Sequence, residues 1–172
     1  MRYISSLLAV IFIFSSAYLA AAQETKGLNS RVQLSVSAAE ESREIISGFF
    51  TEKLNGIQDV ELVNRDPSWK IDVVVMDLLA QDGTKNGVVV SVVILRQFDT
   101  KTITAVSPPS QKKYMEILTN NLYRFEEHWV RTGTPDDLKN LCDAIIADFD
   151  AEHLDRQRKL HQKLHGKPGK TQ

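Results

Sequence analysis

The chain has 172 residues, a net charge of −1 at pH 7 and a single cysteine. This length is enough for one domain with a hydrophobic core, the balanced charge argues against a nucleic-acid partner, and one cysteine excludes an internal disulfide. The sequence contains no G-x-S-x-G motif and no glycine-rich phosphate loop. We therefore expect neither a cofactor nor a bound metal, and we favour a non-catalytic protein.

The first 22 residues have the pattern of a secretory signal peptide. Arg2 provides a positive charge, Leu7–Phe14 is an unbroken apolar run, and Ala20 and Ala22 fit an A-x-A cleavage site. The run is shorter than the roughly 20 residues that span a membrane. We expect cleavage after Ala22, then a flexible leader over 23–30, and a periplasmic or secreted mature protein without a transmembrane segment. An uncleaved amino-terminal anchor is the alternative.

The first elements after the leader are a strand and a helix. Apolar and polar residues alternate over 31–37, which predicts a half-buried strand. Ser37 and Glu40 have the spacing of a capping box, and apolar residues then recur at helical spacing. The pattern predicts a helix over 38–55, ended by Gly56 in the left-handed C′ position.

Two long β-branched runs flank the hexapeptide DGTKNG at 82–87. Residues 69–79 and 88–98 predict two long strands, after a short strand over 59–64. The hexapeptide contains the turn pairs Asp-Gly and Asn-Gly, and it also matches the opening positions of a calcium-binding loop. The later ligand positions of such a loop are occupied by valines, so we interpret the hexapeptide as a hairpin turn.

The carboxyl-terminal half has mainly helical patterns. Residues 101–106 favour a further strand, whereas an apolar stripe over 110–131 predicts a second helix. Thr134, followed by a proline and two acidic residues, starts a third helix. Residues 151–172 carry six basic residues against two acidic ones, a net charge of +4, and form a basic tail that we expect to be helical to about Leu164.

The predicted order of elements is β-α-β-β-β-α-α. It indicates an α+β fold, with an antiparallel or mixed sheet of about four strands, helices packed on one face and a long carboxyl-terminal helix. A single domain is expected over 31–150, between the leader and the helical or disordered tail.

The segment 31–98 has a helix, a short strand, a break, the stretch DPSWKIDVVVMDL and a second long strand. In this order it resembles small α+β domains of bacterial envelope proteins. Examples are the amino-terminal domain of the Tol translocation protein and the domains of curli-secretion and penicillin-binding-protein-activator lipoproteins. The resemblance implies a binding role in the cell envelope.

The basic tail provides the candidate binding residues, Arg156, Arg158, Lys159 and Lys163. Their positive charge would attract anionic lipid headgroups, an anionic envelope polymer or an acidic partner protein. The tail lacks the interleaved aromatic residues of proteins that bind single-stranded nucleic acid. A solvated extension that keeps the protein soluble is the alternative.

The histidines and the cysteine give weaker signals. His161 and His165 are four residues apart on the tail helix and could grip one metal ion, but no His-Glu-x-x-His pattern accompanies them. His153 is two turns away and too far to join that ion. Cys142 lies on the apolar stripe of the third helix, which predicts a buried, inert thiol.

We predict an exported, non-catalytic binding domain of the bacterial cell envelope, whose partner is an envelope protein or an anionic envelope polymer. Two alternatives remain open. A small secreted hydrolase would use an atypical site made from Asp72, Asp77, Asp99 or His128. A secreted inhibitor or effector has no sequence feature that separates it from the binding domain.

Overall fold

The computed structural model describes residues 28–119 and 122–165. The predicted signal peptide, its cleavage site, most of the leader and the end of the tail lie outside these residues. The elements, in chain order, are β1 (Ser30–Ser37), α1 (Glu40–Asn55), β2 (Val60–Leu62), β3 (Trp69–Leu79), β4 (Lys85–Gln97), α2 (Thr100–Ala105), α3 (Lys112–Thr119), β5 (Tyr123–Gly133), a 3-10 turn (Pro135–Asp137), α4 (Leu138–Phe149), a π-helical segment (Asp150–Leu154) and α5 (Asp155–His165).

The strands form one mixed sheet in the order β2-β1-β3-β4-β5. β1 is parallel to β2 and to β3, because helix α1 returns the chain to the same end of the sheet before β2 begins. β3, β4 and β5 are consecutive antiparallel neighbours. The predicted α+β class is confirmed, with five strands in place of about four.

The hydrophobic core lies between one face of the sheet and the helices α1 and α4. The alternation along β3 places Trp69, Ile71, Val73 and Val75 on this face, where all four are buried. This is the face that the sequence pattern predicts. The helices add fully buried side chains from α1 (Ile46, Phe50 and Leu54) and from α4 (Cys142, Ile145, Ile146 and Phe149).

The chain turns between β3 and β4 at the hexapeptide 82–87, as predicted, although residues 85–87 already belong to β4. The Ala80 amide donates a hydrogen bond to the Thr84 carbonyl at 2.8 Å. The Asp82 carboxylate accepts hydrogen bonds from the amide and the hydroxyl of Thr84 at 2.9 and 2.6 Å. Gly83 has φ of 80°, a left-handed conformation that a residue without Cβ adopts at low cost.

Two predicted elements between 100 and 133 are wrong. The predicted strand over 101–106 is instead covered by the helix α2, Thr100–Ala105, which the Asp99 carboxylate caps by accepting a hydrogen bond from the Lys101 amide at 3.1 Å. The predicted helix over 110–131 holds only for α3, and its second half is the edge strand β5. Pairing with β4 outweighs the helical spacing of the apolar residues there.

Both predicted caps of the first helix are also wrong, although its end at Asn55 is correct. Ser37 is the last residue of β1, where it is paired with Val74, so it cannot cap a helix that begins at Glu40. Gly56 has φ of −74° and continues the right-handed turn, with its amide donating to the carbonyls of Glu52 and Lys53.

The helical region at the carboxyl end runs from Pro135 to His165 through the 3-10 turn, α4, the π-helical segment and α5. Helix therefore continues well beyond residue 150. Leu154 is fully buried in the core, so the first turn beyond 150 packs on the body of the protein. Within the described ranges, no helix is both long and apolar enough to cross a membrane.

Candidate functional site

The four predicted binding residues of the tail lie on α5 but on two different faces. Arg156, Lys159 and Lys163 follow one another at spacings of three and four residues, which places them on one exposed face. Lys159 forms an exposed ion pair with Asp155 at 2.6 Å. Arg158 lies on the other face and points toward the body. We call Arg156, Lys159 and Lys163 the basic face.

Arg158 joins α5 to the loop between α1 and β2. Its Nε and Nη2 atoms donate hydrogen bonds to the two carboxylate oxygens of Asp59 at 2.8 and 2.6 Å. Nη2 also lies 2.7 Å from Oδ1 of Asp150. The hydrogen bonds from Arg158 hold the pKa of Asp59 below its usual range. Arg158 is therefore tied to residues outside its own helix, whereas the ion pair of Lys159 lies within α5.

An open groove of about 700 Å³ surrounds this ion pair. The loop 56–59 forms one wall, and Asp150, Arg158 and His161 form the other. The carboxylate of Asp59 occupies the edge of the guanidinium formed by Nε and Nη2, and Asp150 lies against Nη2. That edge is therefore not free to bind an anionic ligand bidentately.

The acidic residues of the alternative hydrolase site are dispersed. Asp77 forms an ion pair with Lys85 at 2.6 Å beside the hairpin turn, and Asp99 caps α2. Asp72 lies on the face of β3 opposite the core, in register with Val93, and Val93 is in register with His128. Asp72 and His128 are thus two strand spacings apart, about 10 Å, and do not act as an acid–base pair.

His128 makes one contact that a hydrolase would use. Its Nε2 lies 2.9 Å from the Oγ of Ser91 on the neighbouring strand, which is the spacing of a nucleophile and its base. No carboxylate among the described residues orients the second ring nitrogen. Ser91 lies in the middle of β4 between two paired strands, so neighbouring backbone amides are engaged in the sheet and are not available as an oxyanion hole. The pair lacks the other parts of a catalytic site.

The face of the sheet opposite the core is exposed, and apolar residues surround the polar pair of Ser91 and His128 on it. No described element covers it, as the exposed fractions of four side chains show: Val74 43 %, Met76 53 %, Val130 58 % and Phe125 63 %. We call the face formed by outward residues of β3, β4 and β5 the outer face; its apolar members are Val74, Met76, Leu78, Val89, Val93, Leu95, Phe125 and Val130.

A second exposed apolar region is the helical hairpin α2–α3, which connects β4 to β5. Tyr114, Ile117 and Leu118 lie on one side of α3 at spacings of three and four residues, and all are exposed. The Phe98 amide donates to the Leu122 carbonyl at 3.0 Å, which closes the base of the hairpin. The connection between β4 and β5 therefore carries an exposed apolar surface of its own.

A cluster of aromatic rings surrounds His153 on the core side of the sheet. The centroid of the imidazole lies 5.5 Å from the Trp69 ring, 6.0 Å from the Trp129 ring and 5.8 Å from the Phe149 ring. The His153 side chain is only 7 % exposed. Its Nε2 lies 3.3 Å from Oε2 of Glu127, within ion-pair distance, but the geometry is not that of a hydrogen bond, and this buried atom has no hydrogen-bond partner among the described residues.

Glu152 completes a group of three possible metal ligands with Glu127 and His153. One ligand atom from each residue lies within 4.8 Å of the others. Glu127 faces the helices because its neighbour in register, Ile94, is a core residue of β4. His153 and Glu152 belong to the π-helical segment, a conformation found frequently at functional sites.

His153 is not among the predicted site residues, because its spacing in the sequence separates it from the histidine pair of the tail. A usable signal was present, since His153 follows Ile145 and Phe149 at intervals of four and thus continues the apolar stripe of α4. No sequence pattern pointed to Glu127 as a site residue. The sequence predicted a helix over 110–131, which would not place this glutamate beside the core residues of β4.

Cys142 is fully buried between α4 and the sheet, as predicted. Burial, with a smaller contribution from Asp143, raises the pKa of its thiol to about 12. The thiolate that nucleophilic catalysis requires is therefore suppressed near neutral pH.

Comparisons with known proteins leave the family of the chain unassigned. No protein-family model matches it, and no curated protein matches it. Matching solved structures include the PelC dodecamer from Paraburkholderia phytofirmans, at 13% identity and a TM-score of 0.40, covering 74% of this chain and 89% of that one. Rare lipoprotein B from Shewanella oneidensis matches at 12% identity and a TM-score of 0.33, over 75% and 98% of the two chains. A minor lipoprotein from Acinetobacter baumannii matches at 13% identity and a TM-score of 0.23, over 80% and 89%.

Two of these structures are lipoproteins by name. TM-scores of 0.40 and below, at these identities, transfer neither a function nor a binding site to this chain.

Proposed function

We propose that the chain is an exported, non-catalytic binding domain of the bacterial cell envelope that contacts a partner protein through its outer face. The observation that carries the proposal is the exposure of several apolar side chains on the outer face, Met76 and Val130 among them. Contiguous exposed apolar surface of this kind commonly marks a site of protein association. The export of the chain rests on the signal-peptide pattern of residues 1–22.

The outer face fits a protein partner better than the edge of β5 does. β5 is the edge strand of the sheet, so its outward backbone groups are unpaired. A bulge interrupts the pairing of β5 with β4 opposite Ile94 and Leu95 of β4. Charged residues such as Arg124 and Glu126 also lie along β5. Bulges and charges oppose the addition of a further strand, whereas the exposed apolar residues of the outer face have no comparable protection.

Site-specific crosslinking in the native host tests this function. A photo-reactive amino acid at Met76 should give one discrete protein adduct, and the adduct should disappear when Val130→Lys places a charge on the same face, two strands away. The same amino acid at Glu41, an exposed residue of α1 on the other side of the protein, is the control. Absence of an adduct at Met76, or the same adduct at Glu41, would contradict the proposal.

The basic face supports a second candidate function, binding to an anionic envelope polymer or lipid surface. Its three residues are exposed and point the same way, and charge attraction over one helix face falls as salt screens it. The triple variant Arg156→Gln, Lys159→Gln and Lys163→Gln should lose sedimentation with phosphatidylglycerol vesicles at low salt. Arg158 stays unchanged so that the ion pair with Asp59 is kept. Equal sedimentation of the variant and the wild type would contradict this role.

A further inference from the structure

We propose that Glu127, Glu152 and His153 form a binding site for one divalent cation of the zinc type. The site lies where the edge strand β5 meets the π-helical segment. It uses neither the outer face nor the basic face, so it is independent of the binding functions proposed above.

The distance between the first two ligands already suits a shared metal ion. Zinc binds histidine nitrogen and carboxylate oxygen at about 2.0–2.2 Å in a tetrahedral arrangement, so two such ligands are separated by about 3.3–3.5 Å. Nε2 of His153 and Oε2 of Glu127 are 3.3 Å apart. Glu152 is exposed, and rotation of its side chain brings its carboxylate, now within 4.8 Å of both atoms, into contact with the same ion.

The burial of His153 is the second observation that points to a ligand. A buried imidazole nitrogen without a hydrogen bond is unfavourable, because it has lost its contacts with water and gained none in return. Nε2 of His153 is such an atom, and it faces the Glu127 carboxylate without hydrogen-bond geometry. A cation between the two groups would satisfy both.

The charge around the cluster also favours a cation. Within 28–119 and 122–165, no arginine or lysine forms an ion pair with Glu127 or Glu152. Two carboxylates therefore lie close together with a histidine as the only partner, and a divalent ion would balance their charge. Arg156, one turn beyond Glu152, is exposed.

The surroundings give the site one closed and one open side. The rings of Trp69, Trp129 and Phe149 enclose the imidazole and lower the local dielectric constant, which strengthens the attraction between the ion and its ligands. The Glu127 side chain is 37 % exposed, so solvent reaches the opposite side. Three protein ligands and an accessible fourth position define an open site that accepts water or a donor group from a partner.

Titration of the chelator-treated, full-length mature protein with zinc chloride tests the site. We expect one zinc equivalent by calorimetry, an increase in melting temperature, and intense visible absorption with cobalt(II) in place of zinc. Glu127→Gln and Glu152→Gln each remove a ligand at a solvent-accessible position, and each should weaken zinc binding by about 100-fold or more, beyond the loss typical of outer-shell changes.

Two further variants separate this site from other sources of zinc binding. Glu41→Gln, on the exposed surface of α1, is the matched control and should bind zinc like the wild type. His161→Gln tests the histidine pair of the tail and should also leave binding unchanged. The proposal is overturned if the wild type binds no zinc, if both Glu127→Gln and Glu152→Gln bind it normally, or if binding is lost with His161→Gln.

Discussion

The guanidinium of Arg158 and the carboxylate of Asp59 form a bidentate ion pair with hydrogen bonds of 2.8 and 2.6 Å, although the two residues are 99 positions apart in the sequence. Both side chains are largely withdrawn from solvent, and Asp150 approaches the same guanidinium. The pair fixes the carboxyl-terminal helix to the loop that precedes β2.

We expect Asp59→Asn to lower the free energy of unfolding at pH 7 by about 1.5–3 kcal/mol, the range for hydrogen bonds to charged groups. Because the pKa of Asp59 is lowered in the folded protein, the stabilisation is complete above the unfolded value of about 3.9. It is lost as the pH falls through the folded value. Urea unfolding at several pH values should show the difference between variant and wild type shrinking below about pH 4. Asp155→Asn, in the exposed pair with Lys159, is the control and should change stability by less than about 1 kcal/mol.

Alanine substitutions at two glycines should have opposite effects on stability. Gly83 has φ of 80°, so Gly83→Ala forces a side chain into a left-handed turn and should cost about 1 kcal/mol. Gly48 lies inside α1 with nothing within 4 Å of the added methyl group, so Gly48→Ala should stabilise by about 0.5–1 kcal/mol. Thermal unfolding measures both, and equal shifts in the same direction would contradict the assigned conformations.

The thiol of Cys142 should be unreactive in the folded protein. Its pKa of about 12 leaves very little thiolate at pH 8, and the side chain is fully buried. We expect a disulfide reagent to modify no thiol in the native protein and one thiol per chain in guanidinium chloride. Rapid modification of the native protein would show that α4 opens readily or packs differently.

The two faces of β3 should respond very differently to truncation. Ile71→Ala leaves a cavity in the core and should cost about 2–5 kcal/mol. Met76→Ala, on the exposed outer face, should change the stability of the isolated chain by less than about 0.5 kcal/mol. Denaturant unfolding of the two variants gives the comparison. A large loss at Met76 would mean that the outer face is covered in solution.

The parts of the fold that follow local patterns could be predicted from the sequence. The alternation in 69–79 and the turn residues around Gly83 predicted the central hairpin, and the apolar stripe through Ile145 and Phe149 predicted α4. The second half of the predicted helix over 110–131 failed because the spacing of four between Phe125 and Trp129 is typical of a helix, and a bulge in β5 hides the alternation of the strand by placing the two rings on opposite faces. Pairing with the free edge of β4 decided for the strand. Sequence spacing cannot show which strand edge needs a partner.

The candidate sites could be predicted less well than the fold, because they depend on contacts between residues that are distant in the sequence. Glu127 and His153 are 26 residues apart, and only the register of β5 against β4 brings them together under the helix. In the same way, a net charge of +4 in the tail did not show that Arg158 faces Asp59 while the basic face is exposed. The composition shows the positive charge of the tail, but the direction in which each basic side chain points depends on how α5 packs on the rest of the protein.

The π-helical segment has a consequence for how insertions and deletions would act on this protein. A π turn holds one residue more than the α turn it replaces, so the segment accommodates an extra residue within a single turn and the helix beyond it keeps its direction. Deleting one residue from Asp150–Leu154 should therefore leave a regular α-helix in which Arg158 still faces Asp59. Related chains that lack this one residue should accordingly keep an acidic partner at position 59.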